Sequence, residues 1–287
     1  MAERLADVVA QIQNVRQLES VVTAMRGIAA SRAQQGRSLH AGIEAYTRVI
    51  STAIGQALSL MPSDGPAPAR SRQGRRGLIV FCAEQGFAGA FSERVLDAAK
   101  SNLAGAAIFL IGTRGTALAG ERGVEPVWTA PMATSAGAIP SLANRIADAL
   151  YERVANGSIT EVDVAFSHAR AGSGIQIDRH SLLPIDLARF PRPVRNHPPL
   201  TTLAPSALLE RLAAEYVYAQ LCEAAMHAFA AENEARMMAM AAARTNSESK
   251  LGGLSQREHQ LRQEEITTEI VELAAGAEAL MPAHRRA

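Results

Sequence analysis

Apolar side chains recur at helical spacing along the first sixty residues, with no proline to interrupt them. Leu5, Val8, Ile12, Val15, Leu18, Val22, Met25 and Ala29 step by three or four residues, a near-heptad stripe with one short step at Val15–Leu18. The stripe resumes at Leu39, Ile43, Tyr46, Ile50 and Ala57. About 58 residues of α-helix would span roughly 87 Å, longer than a compact domain. The pattern therefore predicts a long helix that must bury its stripe against another helix. After Pro205 no proline recurs until Pro282, and the intervening composition is strongly helical. Near the end of that stretch Ile266, Ile270, Leu273, Ala277 and Leu280 step four, three, four, three, which predicts a coiled-coil seam. Gly252–Gly253 is its weak point, at about 1 kcal/mol per Gly relative to Ala, and marks a place for a bend or a break.

Between these stretches the period changes. A connector dense in Pro and Gly runs over 61–77, with Pro62, Pro66 and Pro68. Strands are predicted at 77–82, 107–111, 124–129, 159–167 and 174–183. Helices are predicted at 91–102, with Ser92 as its cap, at 113–120, and at 142–155, stopped by Asn156–Gly157. Strands that alternate with helices predict a parallel α/β sheet with an antiparallel edge. A second proline-rich connector covers 189–205. The fold class is thus α/β, with the two terminal helices pairing as a long antiparallel coiled coil and the α/β domain beneath them as a foot. The expected segments are 1–60, 75–195 and 203–287.

Composition narrows the function. Aromatics are only 4% of a chain rich in Ala, which favours closely packed helices over a thick aromatic core. Twenty-nine basic against 28 acidic residues leave a net charge of +1, so the excess that neutralises nucleic-acid phosphates is missing. Local basic clusters at 70–76 and Arg285–Arg286 read as solvated surface. Cys82 and Cys222 form no CxxC pair and read as small buried hydrophobes. No run of about 18 apolar residues occurs, and Glu3, Arg4 and Asp7 break any signal-peptide core, so a cytoplasmic chain without a membrane span is expected. The seven histidines show neither HxxxH nor HExxH spacing, and no metal site or cofactor is expected. Neither a nucleophile elbow nor a Walker A sequence is present.

One turn could face an anion. Ala83 to Ser92 follows the first strand and opens a helix, with Gly86 and Gly89 suited to a tight turn. The dinucleotide pattern G-x-G-x-x-G is not met. Three classes of function stay open on these features: a shaft, an α/β nucleotide-binding enzyme with a helical dimerisation arm, and a coiled-coil adaptor.

Longer motifs decide among them. The run Ala235-Arg236-Met237-Met238-Ala239-Met240, then Arg262-Gln263, Ile266-Thr267, Glu269-Ile270, Glu272 and Gly276-Ala277, resembles the gamma subunit of F-type ATP synthases. The family reads Ala-Arg-Met-x-Ala-Met, then Arg-Gln-x-x-Ile-Thr-x-Glu-Ile-x-Glu-Ile-x-x-Gly-Ala. Ala24, Met25, Ala29, Ala30 and Arg32 match its N-terminal helix, and Gly86, Gly89 and Phe91 match its strand-to-helix turn. Ser20 and Thr23 stand where the family has lysines, Glu84–Gln85 where it has Asp–Arg, Ala90 where it has Gly, and Glu258–His259 where it has Tyr–Asn. The departures imply a divergent branch, with a Na⁺-type synthase as one candidate.

The resemblance implies a non-catalytic central-stalk rotor with a Rossmann-like foot. Its implied partners are the alpha and beta subunits of the head, the epsilon subunit and the membrane c-ring, at the cytoplasmic face of a bacterial membrane. Met25, Arg236, Arg262, Gln263, Thr267 and Glu269 are the implied torque-transmitting contacts to beta, and Gly86 and Gly89 form the turn of the foot.

Overall fold

The computed structural model describes residues 4–61, 74–103, 105–170, 174–192 and 199–280. The connector prolines Pro62, Pro66 and Pro68, the basic residues Arg70 and Arg72, Pro282 and Arg285–Arg286 lie outside them. Two compact units are formed, one from Met1–Gly27 with Met240–Ala287, the other from Ile28–Ala239. This division cuts across the segments 1–60, 75–195 and 203–287. Helices α1 (Leu5–Ser59) and α5 (Pro205–Leu280) each contribute to both units.

In the larger unit, apolar runs make a five-stranded sheet. Its strands are β1 (Arg75–Phe81), β2 (Ala107–Ile111), β3 (Trp128–Ala130), β4 (Ile159–Arg170) and β5 (Gly174–Leu183), in the order β3-β2-β1-β4-β5. The first four pair in parallel, and β5 closes one edge antiparallel to β4. The third strand begins at Trp128, later than Val124, and is only three residues long. Side chains of β1 alternate between two cores, because successive residues of a strand face opposite ways. Ile79 and Phe81 join Phe109, Ile111 and Val164 against α4 (Ile139–Ala155) and the first part of α5, through Ile146, Leu150, Leu221 and Phe229. Leu78, Val80 and Ile108 face α2 (Phe91–Leu103), through Phe91 and Val95, and α3 (Thr113–Glu121), through Ala119. Helices cover both faces, as a buried parallel sheet requires.

In the same unit α1 lies antiparallel to α5. Arg37 pairs with Glu234 at 3.3 Å, His40 meets His227, and the Tyr46 hydroxyl donates to Glu215. A Cβ on Gly36 would come within 3.0 Å of Ala230 Cβ, so the helices approach closely there. The covered face of α1 here passes through Ala29, Ala33, Gly36, His40, Ile43, Thr47, Ile50, Ile54, Ala57 and Leu58. Leu39 and Tyr46, expected in the stripe, are exposed.

In the smaller unit the covered face of α1 passes through Leu5, Val8, Ile12, Val15, Glu19, Val22 and Met25. Leu18 is exposed, and Glu19 takes its place, 3.9 Å from Arg244. The opposing face of α5 is Met240, Arg244, Ser247, Leu251, Leu254, Glu258 and Leu261. The helix is continuous through Gly252–Gly253, so neither residue breaks it. Beyond Leu261 the expected seam is not buried: Ile266, Ile270 and Leu273 are 49%, 60% and 75% exposed. The reason is register. With Glu19 opposite Arg244 in an antiparallel pair, Leu5 at the start of α1 comes level with Glu258, and α1 ends there.

Candidate functional site

In a doubly wound sheet, ligands bind beyond the carboxyl ends of the strands, where the strand order reverses. Here the chain winds from β1 outward to β2 and β3, then returns to β4 on the other side of β1, which puts the reversal at β1/β4. The turn 82–90 leaves β1 at that place. Gly89 has φ +58 and Phe87 has φ 62, both left-handed, and the Phe87 ring is exposed. Ser92 lies inside α2 and does not serve as its expected cap. Its buried hydroxyl accepts the N–H of Ala83 instead, fastening the helix to the end of the strand.

The crevice is filled by the chain's own charges. Glu84 accepts from Thr113 N–H at 3.0 Å, Thr113 Oγ1 at 2.7 Å and Met132 N–H at 2.7 Å, tying together the segments that follow β1, β2 and β3. Glu232 of α5 accepts from Glu84 N–H at 3.2 Å and Gln85 N–H at 3.5 Å. Arg236, one turn further on, pairs with Glu232. Its guanidinium also donates to Gly86 O at 3.2 Å, Gln85 O at 3.2 Å and Asn233 Oδ1 at 3.1 Å. Arg236 and Glu232 are 5% and 4% exposed. Four backbone N–H groups of the crevice, those of Glu84, Gln85, Thr113 and Met132, are thus already bonded to carboxylates. The cavity beside the turn holds about 110 Å³, well under the roughly 300 Å³ of a small-molecule pocket.

The other residues implied by resemblance belong to the smaller unit. Met25 is half-buried in its helix seam. Arg262, Gln263, Thr267 and Glu269 are exposed on the last part of α5. Arg262 reaches back to Glu258 at 2.9 Å, and the Thr267 hydroxyl donates to Gln263 O at 2.7 Å. These four share one stretch with the uncovered Ile266, Ile270, Val271 and Leu273. Arg236 is buried and holds Gly86 O of the exposed turn that also contains Gly89. From sequence Glu84 stood out only as a departure from the family's Asp–Arg pair, and Glu232 was given no role. The available signals were a carboxylate just past a strand end and the E-x-x-x-R spacing at 232–236.

The sheet with its filled crevice and the pairing of α1 with α5 define the class: a structural α/β protein built on two long terminal helices. Solved structures bear the same fold. The chain matches the F1/c-ring of the Euglena gracilis mitochondrial ATP synthase with TM-score 0.65 at 10% identity, over 99% of this chain and 96% of that one. Among curated relatives, the ATP synthase gamma chain of Kineococcus radiotolerans is 26% identical over the whole of both chains. That of Bdellovibrio bacteriovorus is 24% identical over 96% of this chain and 98% of its own. The family model described as ATP synthase matches residues 4–280, and the chain belongs to that family, among its gamma chains. These are non-catalytic central-stalk subunits, and the nucleotide-binding alternative is not favoured. Among the described residues, no helix is long and apolar enough to cross a membrane.

Proposed function

We propose that this chain is the rotor shaft of a bacterial F-type synthase, coupling ion flow through a membrane c-ring to ATP synthesis or hydrolysis at beta subunits. It turns within the alpha and beta subunits of the head, and its α/β body rests on the c-ring beside epsilon. Attachment is peripheral, through the complex, at the cytoplasmic face of the membrane. The observation that carries this reading is the end of α5. Ile266, Ile270, Val271 and Leu273 are exposed there, beside Arg262, Gln263, Thr267 and Glu269. Four large apolar side chains exposed within eight residues of one helix mark a surface that takes a partner, and a sleeve formed by the head subunits supplies one.

The polar neighbours are suited to contacts that form and break. A solvent-reached pair such as Arg262–Glu258, whose guanidinium is exposed, contributes about 0–1 kcal/mol, so the guanidinium can exchange Glu258 for a beta carboxylate at little cost. A rigid, always-charged fork makes Arg effective in such an exchange. Met25, in the seam of the same unit, is proposed to contact beta from the α1 side. Arg236 acts from within, by holding the turn at Gly86 to α5.

Arg262→Ala in the reconstituted complex tests the assignment. A hydrogen bond to a charged partner contributes about 1.5 kcal/mol, so the rate of coupled ATP hydrolysis falls by up to about tenfold while alpha, beta and epsilon still co-purify. Unchanged coupling removes Arg262 from the torque path. Failure of a tagged chain to bring down alpha and beta removes the rotor reading itself.

A further inference from the structure

Where the larger unit's helix seam passes the sheet, it is polar. His40 of α1 faces His227 of α5 with ring centroids 4.2 Å apart. Glu223 precedes His227 by one helical turn, so the two share a face. One donor atom from each of His40, Glu223 and His227 lies within 4.8 Å of the others, and all three side chains are half-buried. Phe166 stacks on the His227 ring at 5.5 Å, and His168 of β4 stands edge-on to it at 6.0 Å.

Simple packing does not account for the arrangement. His40 Nε2 lies 3.3 Å from Glu44 Oε1, while Nδ1 is buried without a hydrogen-bond partner. A buried polar atom left unmatched costs about 1–3 kcal/mol, and leucines would fill the same seam without it. Histidines that bind metals commonly give one ring nitrogen to a carboxylate and the other to the ion. His40 has that disposition. Two imidazoles and one carboxylate form a donor set for zinc and its neighbours in the first transition row. Calcium and magnesium prefer all-oxygen shells.

We propose that His40, Glu223 and His227 bind a divalent transition-metal ion, with Zn²⁺ the best match, which staples α1 to α5. The ligands come from two helices that are 183 residues apart in sequence at His40 and Glu223. Zinc–nitrogen bonds are about 2.0–2.1 Å, so modest side-chain rotation draws the three donors together and leaves a fourth position for water or for His168.

The test uses the full chain, stripped with chelator and titrated with Zn²⁺ alone, then with Co²⁺ as a visible-absorption probe. The expected result is saturable one-to-one binding of micromolar or tighter affinity, a raised Tm, and Co²⁺ d–d bands typical of nitrogen and oxygen ligands. Glu223→Gln and His227→Gln, each checked for native circular dichroism, abolish binding and the Tm rise. His259→Gln, at an exposed position, leaves both intact. Absence of saturable binding overturns the site. So does binding that survives in both ligand variants, or binding lost equally in His259→Gln. None of these readouts depends on rotary activity, so the staple and the rotor reading fail separately.

Discussion

Replacing Arg236 by Met keeps the length and most of the volume of the side chain but removes its charge and five donors. Four interactions end with it: those to Gly86 O, Gln85 O, Asn233 Oδ1 and Glu232. The two carbonyls belong to a partly open turn and can be rehydrated. The Glu232 carboxylate cannot, because it is 4% exposed. Leaving a buried charge without its partner costs about 3–5 kcal/mol. Glu232 keeps two backbone donors, Glu84 N–H and Gln85 N–H, so the loss belongs at the lower end, about 3 kcal/mol. Urea unfolding followed by the fluorescence of Trp128, the sole tryptophan and a residue packed near Phe109, reads the stability of the larger unit. Adding Glu232→Gln then recovers part of the loss. The amide has no charge to bury, and its oxygen still accepts from the turn. A single variant within about 1 kcal/mol of the parent, or a double variant no more stable than the single one, refutes the account of a charge-dependent clasp.

Two further measurements probe the packing behind the turn. A Cβ on Gly115 would lie 2.1 Å from Cys82 Cβ and 2.7 Å from its sulfur. Gly115→Ala is therefore expected to lower stability by about 2 kcal/mol, since overpacking costs about 1–3 kcal/mol and exceeds the helix-propensity gain; Cys82→Gly in the same chain recovers part of it. Burial, reinforced by Glu232 and Glu93, pushes the Cys82 thiol from 9.0 up to about 12. Its raised folded-state pKa means the stability it contributes is complete below pH 9 and is lost as pH rises from 9 towards 12. Cys82→Ala should flatten that alkaline slope, and alkylation of the wild-type thiol at neutral pH should require unfolding.

Element type was legible in the sequence because the period changes sharply between the helices and the sheet. The seam was legible only in part. Counting apolar side chains selects Leu18, Leu39 and Tyr46, yet Glu19, His40 and Thr47 hold the covered positions. Polar residues that find partners across a helix pair, as Glu19 finds Arg244 and His40 finds His227, look like surface residues to a hydrophobicity pattern. The end of α5 misled for the opposite reason. Its heptad spacing is regular, but spacing cannot say whether the partner is in the same chain, and α1 stops too early to be it. The clasp at Arg236 was hidden because its acceptors on the turn lie 150 and 151 residues away.

The contrast between two arginines on one helix ties these observations to the proposed rotor. At Arg236 the helix meets the strand end where α/β enzymes hold an anion, and a buried carboxylate of α5 takes the anion's place. Sliding or twisting α5 against the sheet there would separate a desolvated ion pair and break the backbone bonds at Glu84 and Gln85. The resistance is several kcal/mol, far above thermal energy. At Arg262 the guanidinium is exposed, its half-buried partner Glu258 lies on the same helix, and such a solvated pair contributes about 0–1 kcal/mol. The proposed rotor calls for both conditions: an anchorage that does not slip, and contacts that can be exchanged at every step. The clasp of α5 on the sheet is suited to the first, and we propose the uncovered end of α5 for the second.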